Sequence, residues 1–111
     1  MRFLLNWLVF TLAIIITAYL LPGVAVEGVF AALVAALVLG LINTFIKPLL
    51  LILTLPINIL TLGLLTFAIN ASLIMLTSAI VPGFSVGSFW WALLFSIILS
   101  IVVWALNQLK E

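Results

Sequence analysis

Residues 41–63 read LINTFIKPLLLILTLPINILTLG, and this stretch decides how the chain is divided. The sequence on either side is almost unbroken hydrocarbon, whereas this stretch holds Lys47, Pro48, Pro56 and two asparagines. The 47–59 segment, about 13 residues long, is too short to cross a bilayer, which requires roughly 20 apolar residues in a helix. We therefore predict that 47–59 is an interfacial or re-entrant segment between longer membrane spans.

The composition indicates an integral membrane protein. Only three basic and two acidic residues occur among 111, hydrophobic residues make up 69%, and the mean hydropathy is +1.69. A soluble domain carries roughly 25% charged residues, so this chain could not cover itself with a water-compatible surface. The first apolar run is longer than the about 7–15 residues of a signal-peptide core, and it is predicted to be a retained span.

Prolines, glycines and charges divide the chain into four predicted spans. These lie near 3–21, 28–46, 60–81 and 88–108, in a single membrane domain of residues 1–111 with an all-α fold. An even number of spans places Arg2, Lys47 and Lys110 on one side, which the positive-inside rule makes cytoplasmic. We expect a multi-pass protein of the bacterial inner membrane with both termini in the cytoplasm and Glu27 outside.

The two outer connections resemble each other. LPGVAVEG (21–28) and VPGFSVGS (81–88) align with Pro22 on Pro82, and the same alignment places small residues of the second span on small residues of the fourth. Small residues at every fourth position let helices approach closely in lipid. We predict two parallel-repeat helical hairpins, which pack within the protomer or between copies. The candidate helix-packing residues are Ala32, Ala36, Gly40, Ala92, Ser96 and Ser100.

Polar residues of the central stretch recur at helical spacing. Separations of 4, 7, 4 and 3 positions would place them on one face of a helix. These candidate interfacial residues are Asn43, Lys47, Thr54, Asn58 and Thr61. Pro48 suits the first turn of a helix and Pro56 should stop or kink it, so 48–55 is predicted to be a short separate helix.

Two roles for this polar face stay open. Lys47 either anchors the segment by extending its ammonium to the lipid phosphates, or it forms a pore mouth or lipid-headgroup site with Asn43 and Asn58. The two asparagines could also cap helix ends. The remaining polar residues within spans are expected to form hydrogen bonds between helices. They are Thr66, Asn70, Ser72, Thr77, Ser96 and Ser100.

Catalytic chemistry is not expected from this sequence. It contains no cysteine and no histidine, which excludes disulfides and the usual transition-metal sites. Glu27 and Glu111 are its only carboxylates, one in a connection and one at the terminus. No phosphate-binding loop or nucleophile motif occurs. We predict no enzyme activity, catalytic residue, metal or cofactor. The predicted partners are the lipid bilayer and further copies of the chain, with no nucleic acid and no evident small-molecule substrate.

Two strings carry a family resemblance, LGLINTFIKPLLLILTLPINILTLGLLTFAINA (39–71) and VPGFSVGSFWWALLFSIILSIV (81–102). The patterns N-x-x-x-K-P…L-P-x-N-x-L-T-L-G and P-G-F-x-V-x-x-F-W-x-A resemble the bacterial four-transmembrane phage holins of holin superfamily IV, the mycobacterial-type four-span holins. The chain departs from the pattern at Val103, where an asparagine is expected. The resemblance implies copies that assemble in the inner membrane and open lesions that release or activate a cell-wall hydrolase. It brings no active-site residues.

Two functional hypotheses follow. In the first, the protein is holin-like and oligomerises through the small-residue faces of the second and fourth spans. In the second, it is a structural or envelope-associated membrane protein that forms no pore. The second is favoured by the absence of a strongly amphipathic span that could line a lesion, and the first by the family resemblance.

Overall fold

The computed structural model describes residues 2–110, and most of them are helical. The elements follow one another along the chain in the order α1 Arg2–Leu20, β1 Val24–Val26, α2 Val29–Leu53, α3 Leu55–Leu60, α4 Leu64–Ile80, β2 Phe84–Val86 and α5 Phe89–Lys110. Pro22 and Pro82 follow the ends of α1 and α4, because a proline has no N–H with which to continue a helix.

Four long helices form the body of the protein. Three of them, α1, α2 and α5, are long and apolar enough to cross a membrane. The fourth, α4, is an apolar helix of 17 residues and is about 25 Å long at 1.5 Å per residue, which is at the lower limit for a span. Large apolar side chains cover the outer surface, as expected for helices surrounded by lipid. The predicted four-helix membrane protein is confirmed at this level.

The helices form a ring around a core rich in small residues. α1 contacts α2 and α5, and α4 contacts the same two helices, so α1 and α4 occupy opposite corners. Alanines from all four long helices are fully buried, which lets the backbones approach closely. The largest fully buried side chains are Phe95, Ile14, Leu39, Thr17 and Thr77.

The two outer connections pair with each other, a contact that their similarity alone did not predict. β1 and β2 form an antiparallel ribbon in which Ala25 lies opposite Ser85. Val24 and Phe84 point into the core, whereas Ala25 and Ser85 are exposed, as the two-residue period of a strand requires. We call this end of the bundle the ribbon end, and the opposite end, where Arg2 begins α1, the basic end.

The prediction of a separate helix over 48–55 is wrong. α2 continues through Pro48 to Leu53, although Pro48 has no N–H to donate to the Thr44 carbonyl. Such prolines are tolerated inside membrane helices because neighbouring groups support the freed backbone. The helix ends at Leu53, with Thr54 as its C-cap, and Pro56 then lies in the first turn of α3. The position of 47–59 relative to the bilayer stays a prediction.

A tight turn connects α3 to α4. Leu62 and Gly63 both have positive φ angles, 57° and 86°, and the Gly63 N–H donates to the carbonyl of Asn58 at 2.8 Å. Glycine adopts this left-handed conformation without the steric cost that a side chain brings. Leu62 carries that cost, and its side chain is 93% exposed at the basic end.

Candidate functional site

A cavity of about 410 Å³ lies between the four long helices and extends to the basic end. We call it the polar cavity, because six of its lining residues are polar. They are Asn43 and Lys47 of α2, Asn70 of α4, and Ser96, Ser100 and Asn107 of α5. The other lining residues are apolar, among them Phe10 of α1.

The polar lining runs along much of the height of the bundle. Lys47 follows the start of α2 at Val29 by as many positions as Asn107 follows the start of α5 at Phe89. At 1.5 Å per residue, both lie about 27 Å from the ribbon end. Ser96, two turns into α5, lies about 10 Å from it. The cavity therefore reaches well into the bundle from the basic end.

Core side chains close the bundle above the polar cavity. The rings of Phe84 and Phe95 pack against each other with centroids 5.7 Å apart, and both side chains are buried. Thr17 and Thr77 are fully buried at the same end, and their hydroxyls donate to main-chain carbonyls of their own helices. Within residues 2–110, no residue of the ribbon lines the polar cavity.

Most hydroxyl groups inside the spans bond to their own helix, which corrects the expectation that they join different helices. Ser72 and Thr77 donate to the carbonyls one turn earlier, and Ser100 donates to that of Ser96 at 2.9 Å. Ser96 donates to the carbonyl of Leu93 at 2.9 Å. Such bonds satisfy the hydroxyl without a second helix.

The amides and the ammonium of the polar cavity differ from these hydroxyls in their hydrogen bonding. Within the described range, the side chains of Asn43, Lys47, Asn70 and Asn107 make no hydrogen bond and no ion pair. Asn43 is exposed and the other three are half-buried. An amide or ammonium that faces hydrocarbon without a partner is costly. Among the described residues, the polar side chains of the spans that make no hydrogen bond are therefore concentrated in this cavity.

A second cavity, of about 560 Å³, lies between α1, α2 and α5 and shares Asn107 with the polar cavity. The indole N–H of Trp7 donates to the Leu33 carbonyl at 2.9 Å and so joins α1 to α2 beside it. Gly40 lines this second cavity, and a side-chain carbon built there would contact nothing within 4 Å. Gly40 therefore does not mark a close helix approach within the protomer.

The five predicted polar-face residues do not share one helix, because α2 ends at Leu53. Asn43 and Lys47 line the polar cavity. The Asn58 amide nitrogen instead donates to the Thr66 hydroxyl at 2.9 Å. The hydroxyls of Thr54 and Thr61 donate to the carbonyls of Leu50 and Asn58, respectively, at 2.7 Å and 3.2 Å. Only the first two members of this set therefore line the polar cavity.

Asn107 was missed from the sequence, although the alignment of the two connections contains a signal for it. Continued along the chain, the alignment that places Pro22 on Pro82 also places Lys47 on Asn107 and Asn43 on Val103. Both of these aligned pairs line the polar cavity. Asn70 was predicted only as a residue that bonds between helices. Its place in the same cavity as Lys47 depends on how α2 and α4 pack, which no local pattern encodes.

The predicted packing residues lie at different depths. Ala32, Ala36, Ala92 and Ser96 are buried within the protomer, whereas Gly40 is half-buried and Ser100 is exposed. Their role in helix association stays a prediction. In the part of the chain that the structure describes, no group of three or more carboxylate, histidine or cysteine side chains could hold a metal ion.

Comparisons with known proteins give relatives over most of the chain. The chain is similar to an uncharacterized protein of Streptomyces coelicolor, with 40% identity over 116 aligned positions, covering 92% of this chain and 93% of the relative. It is also similar to the uncharacterized membrane protein YvlD of Bacillus subtilis, with 41% identity over 91 positions, covering 81% of this chain and 76% of the relative. No solved structure matches it.

A family model also matches nearly the whole chain. It describes mycobacterial phage holins with four transmembrane segments, superfamily IV, and matches residues 1–105. This range includes the ribbon, most of the polar cavity and nearly all of the four long helices. The chain therefore belongs to the family of mycobacterial four-transmembrane phage holins, superfamily IV.

Proposed function

We propose that the protein is a holin-type protein of the bacterial inner membrane that acts by assembling copies in the bilayer and carries out no catalysis. The observation that carries the holin-type assignment is the family match over residues 1–105. The closure of the bundle at the ribbon end by Phe84, Phe95 and the buried core supports assembly as the way in which a lesion would form. A single protomer with that closure offers no continuous polar path. Any lesion must then form between copies.

The proposed architecture is a pair of parallel-repeat hairpins, α1–α2 and α4–α5, joined by an interfacial segment at 47–59. It is supported by hydrogen bonds that recur at equivalent positions of the two connections. The Glu27 N–H donates to the Gly83 carbonyl and the Gly87 N–H to the Gly23 carbonyl, both at 2.8 Å. A pseudo-two-fold axis would pass between Ala25 and Ser85.

The proposed orientation puts the basic end in the cytoplasm and the ribbon outside. It is supported by the distribution of charges along the helices. Arg2 begins α1 and Lys47 lies near the end of α2, so both belong to the basic end, whereas Glu27 lies beside the ribbon. The positive-inside rule then favours a cytoplasmic basic end.

The decisive experiment is induced expression together with a cytoplasmic endolysin that lacks a signal sequence. A holin predicts abrupt lysis that a membrane-depolarising dye triggers early. Continued growth with an intact membrane potential at high expression would exclude the lesion-forming function.

The second candidate function is that of a structural or envelope-associated membrane protein without a pore. The apolar outer surface of the bundle favours it, since a lesion needs helix faces that tolerate water. Under this alternative, the same expression experiment gives growth without lysis, and the protein accumulates in the membrane without changing its permeability.

A further inference from the structure

We propose that the polar cavity binds a phosphate group, either as the headgroup of an anionic lipid or as inorganic phosphate, with Lys47 as the charged contact. Asn43 and Asn107 supply neutral hydrogen-bond donors near it, and Asn70 supplies one deeper in the cavity. This inference goes beyond the proposed function and does not depend on the formation of a lesion.

Among residues 2–110, no carboxylate compensates the charge of Lys47. Glu27 is the only carboxylate among residues 2–110, and it lies beside the ribbon, at the opposite end of α2 from Lys47. Along a helix their separation corresponds to about 30 Å. A cation held between apolar helix faces without an opposite charge is costly, and an anion in the same cavity lowers that cost.

The hydrogen-bonding groups of the cavity suit an acceptor-rich ligand. The hydroxyls of Ser96 and Ser100 already donate to main-chain carbonyls, so the remaining donors are the ammonium, three side-chain amides and the indole N–H of Trp104. Phosphate oxygens accept hydrogen bonds from such groups, and charge-assisted bonds are the strongest of them. The amide oxygens can accept hydrogen bonds from hydroxyl groups that a lipid headgroup carries next to its phosphate.

The size and depth of the cavity also fit. Its volume of about 410 Å³ falls within the roughly 300–1,000 Å³ of small-molecule sites. Lys47 and Asn107 lie about 27 Å from the ribbon end, close to the roughly 30 Å thickness of bilayer hydrocarbon. This depth corresponds to the level of lipid phosphates at the basic end, which dissolved phosphate also reaches.

The test counts lipids bound to the full chain. The protein, purified in a nonionic detergent, is incubated with equimolar phosphatidylglycerol and phosphatidylcholine, and bound lipid is measured by native mass spectrometry. We expect phosphatidylglycerol to be retained in preference, and Lys47→Gln to reduce that preference about tenfold, the value of one charge-assisted contact. Lys47→Arg should retain most of the preference.

Arg2→Gln is the matched control, because it removes the same charge at the same end from a residue that does not line the polar cavity. It should change the preference less than twofold. Equal losses in Lys47→Gln and Arg2→Gln would overturn the proposal. A natural protein that neither prefers phosphatidylglycerol nor binds inorganic phosphate would overturn it as well. Asn107→Leu removes one donor, keeps all charges and should lower the preference about threefold. This variant keeps the proposal testable if Lys47→Gln does not fold.

Inorganic phosphate distinguishes the two sources of the ligand. Phosphate that displaces phosphatidylglycerol, where chloride at the same ionic strength does not, identifies a site for dissolved phosphate. Retention of the lipid, with the Lys47→Gln effect intact, identifies a headgroup site. Equal displacement by both salts means that the attraction is only screened surface charge, and this result contradicts a built site.

Discussion

Glu27 donates its main-chain N–H to the carbonyl oxygen of Gly83 at 2.8 Å, and this bond ties the connection of the first hairpin to that of the second. The equivalent bond, from Gly87 to Gly23, closes the other end of the ribbon at the same distance. The ribbon therefore joins the two hairpins at the end opposite the segment that connects them along the chain. Because Ala25 pairs with Ser85, its equivalent in the second connection, the ribbon lies where the axis of the proposed repeat would pass.

A disulfide across the ribbon tests this pairing. The chain has no cysteine, so Ala25→Cys with Ser85→Cys creates the only pair of thiols. Directly opposed residues of an antiparallel ribbon have Cα atoms about 4.5–5.5 Å apart, within the range that a disulfide spans. We expect nearly complete oxidation within one chain, seen as altered mobility on non-reducing gels.

The control moves one thiol to the other end of the bundle. Ala25→Cys with Leu62→Cys should give no bond within the chain. Co-expression of the two single variants, each with its own tag, tests whether the ribbon forms between copies. A disulfide-linked heterodimer at high yield would mean that the strands pair between protomers, contrary to the structure.

The contact between Gly23 and Trp91 predicts a sharp size limit. A side-chain carbon at Gly23 would overlap the indole ring of Trp91, whereas one at Gly28 would contact nothing within 4 Å. Gly23→Ala should therefore lower the free energy of unfolding by about 1–3 kcal/mol, as overpacking does. Gly28→Ala should lower it less, because it adds no overlap and loses only the preference of a helix N-cap for glycine over alanine. Thermal unfolding in detergent measures both.

A double variant separates overlap with the ring from a general effect of alanine in the connection. If the loss in Gly23→Ala comes from the indole, a smaller side chain in Trp91→Leu should remove most of it. The two changes would then be strongly non-additive. Additive effects would contradict this explanation.

The elements predicted best are those that depend on local composition. The apolar runs and the breaks at Pro22 and Pro82 predict four long helices, and the strings 39–71 and 81–102 predict the family, which the match to residues 1–105 confirms. Pro48 led to the wrong prediction of a separate helix over 48–55, because proline usually starts or ends a helix. In α2, the helix continues through Pro48, and five apolar residues follow this proline before the helix ends at Leu53.

What could not be predicted depends on packing between distant segments. Three-residue strands carry no signal for which partner they pair with, so the ribbon was seen only as two similar connections. The polar cavity combines Asn70 of α4 and Asn107 of α5 with Lys47 of α2, and only the packing of these helices brings them to one cavity. The regular spacing from Asn43 to Thr61 suggested one polar face, but the break at Thr54 divides it.

The hydrogen bond from Asn58 to Thr66 predicts a specific role for one hydroxyl. Within the described range, the Asn58 side chain makes its one hydrogen bond to Thr66, through the amide nitrogen. The Oδ1 atom of Asn58 is buried without a partner. Thr66→Val should cost about 1–2 kcal/mol of unfolding free energy, because it leaves a half-buried amide unpaired. Thr44→Val, whose hydroxyl bonds only to its own helix at Gly40, should cost less than about 0.5 kcal/mol. Thermal unfolding in detergent compares the two variants, and equal losses would contradict a specific role for the Thr66 hydroxyl.

The orientation of the bundle gives a final prediction that single cysteines can check. Ser85 is exposed in the ribbon and Leu62 is 93% exposed at the basic end, so each position accepts a thiol that reagents can reach. We expect a membrane-impermeant maleimide to label Ser85→Cys in intact cells whose outer layers it can cross. Leu62→Cys should be labelled only after the inner membrane is permeabilised, because the proposed orientation puts the basic end in the cytoplasm. A permeant maleimide that labels both variants controls for thiol reactivity. The reversed pattern would place Lys47 and the mouth of the polar cavity on the outer face, and its phosphate would then have to come from the outer leaflet.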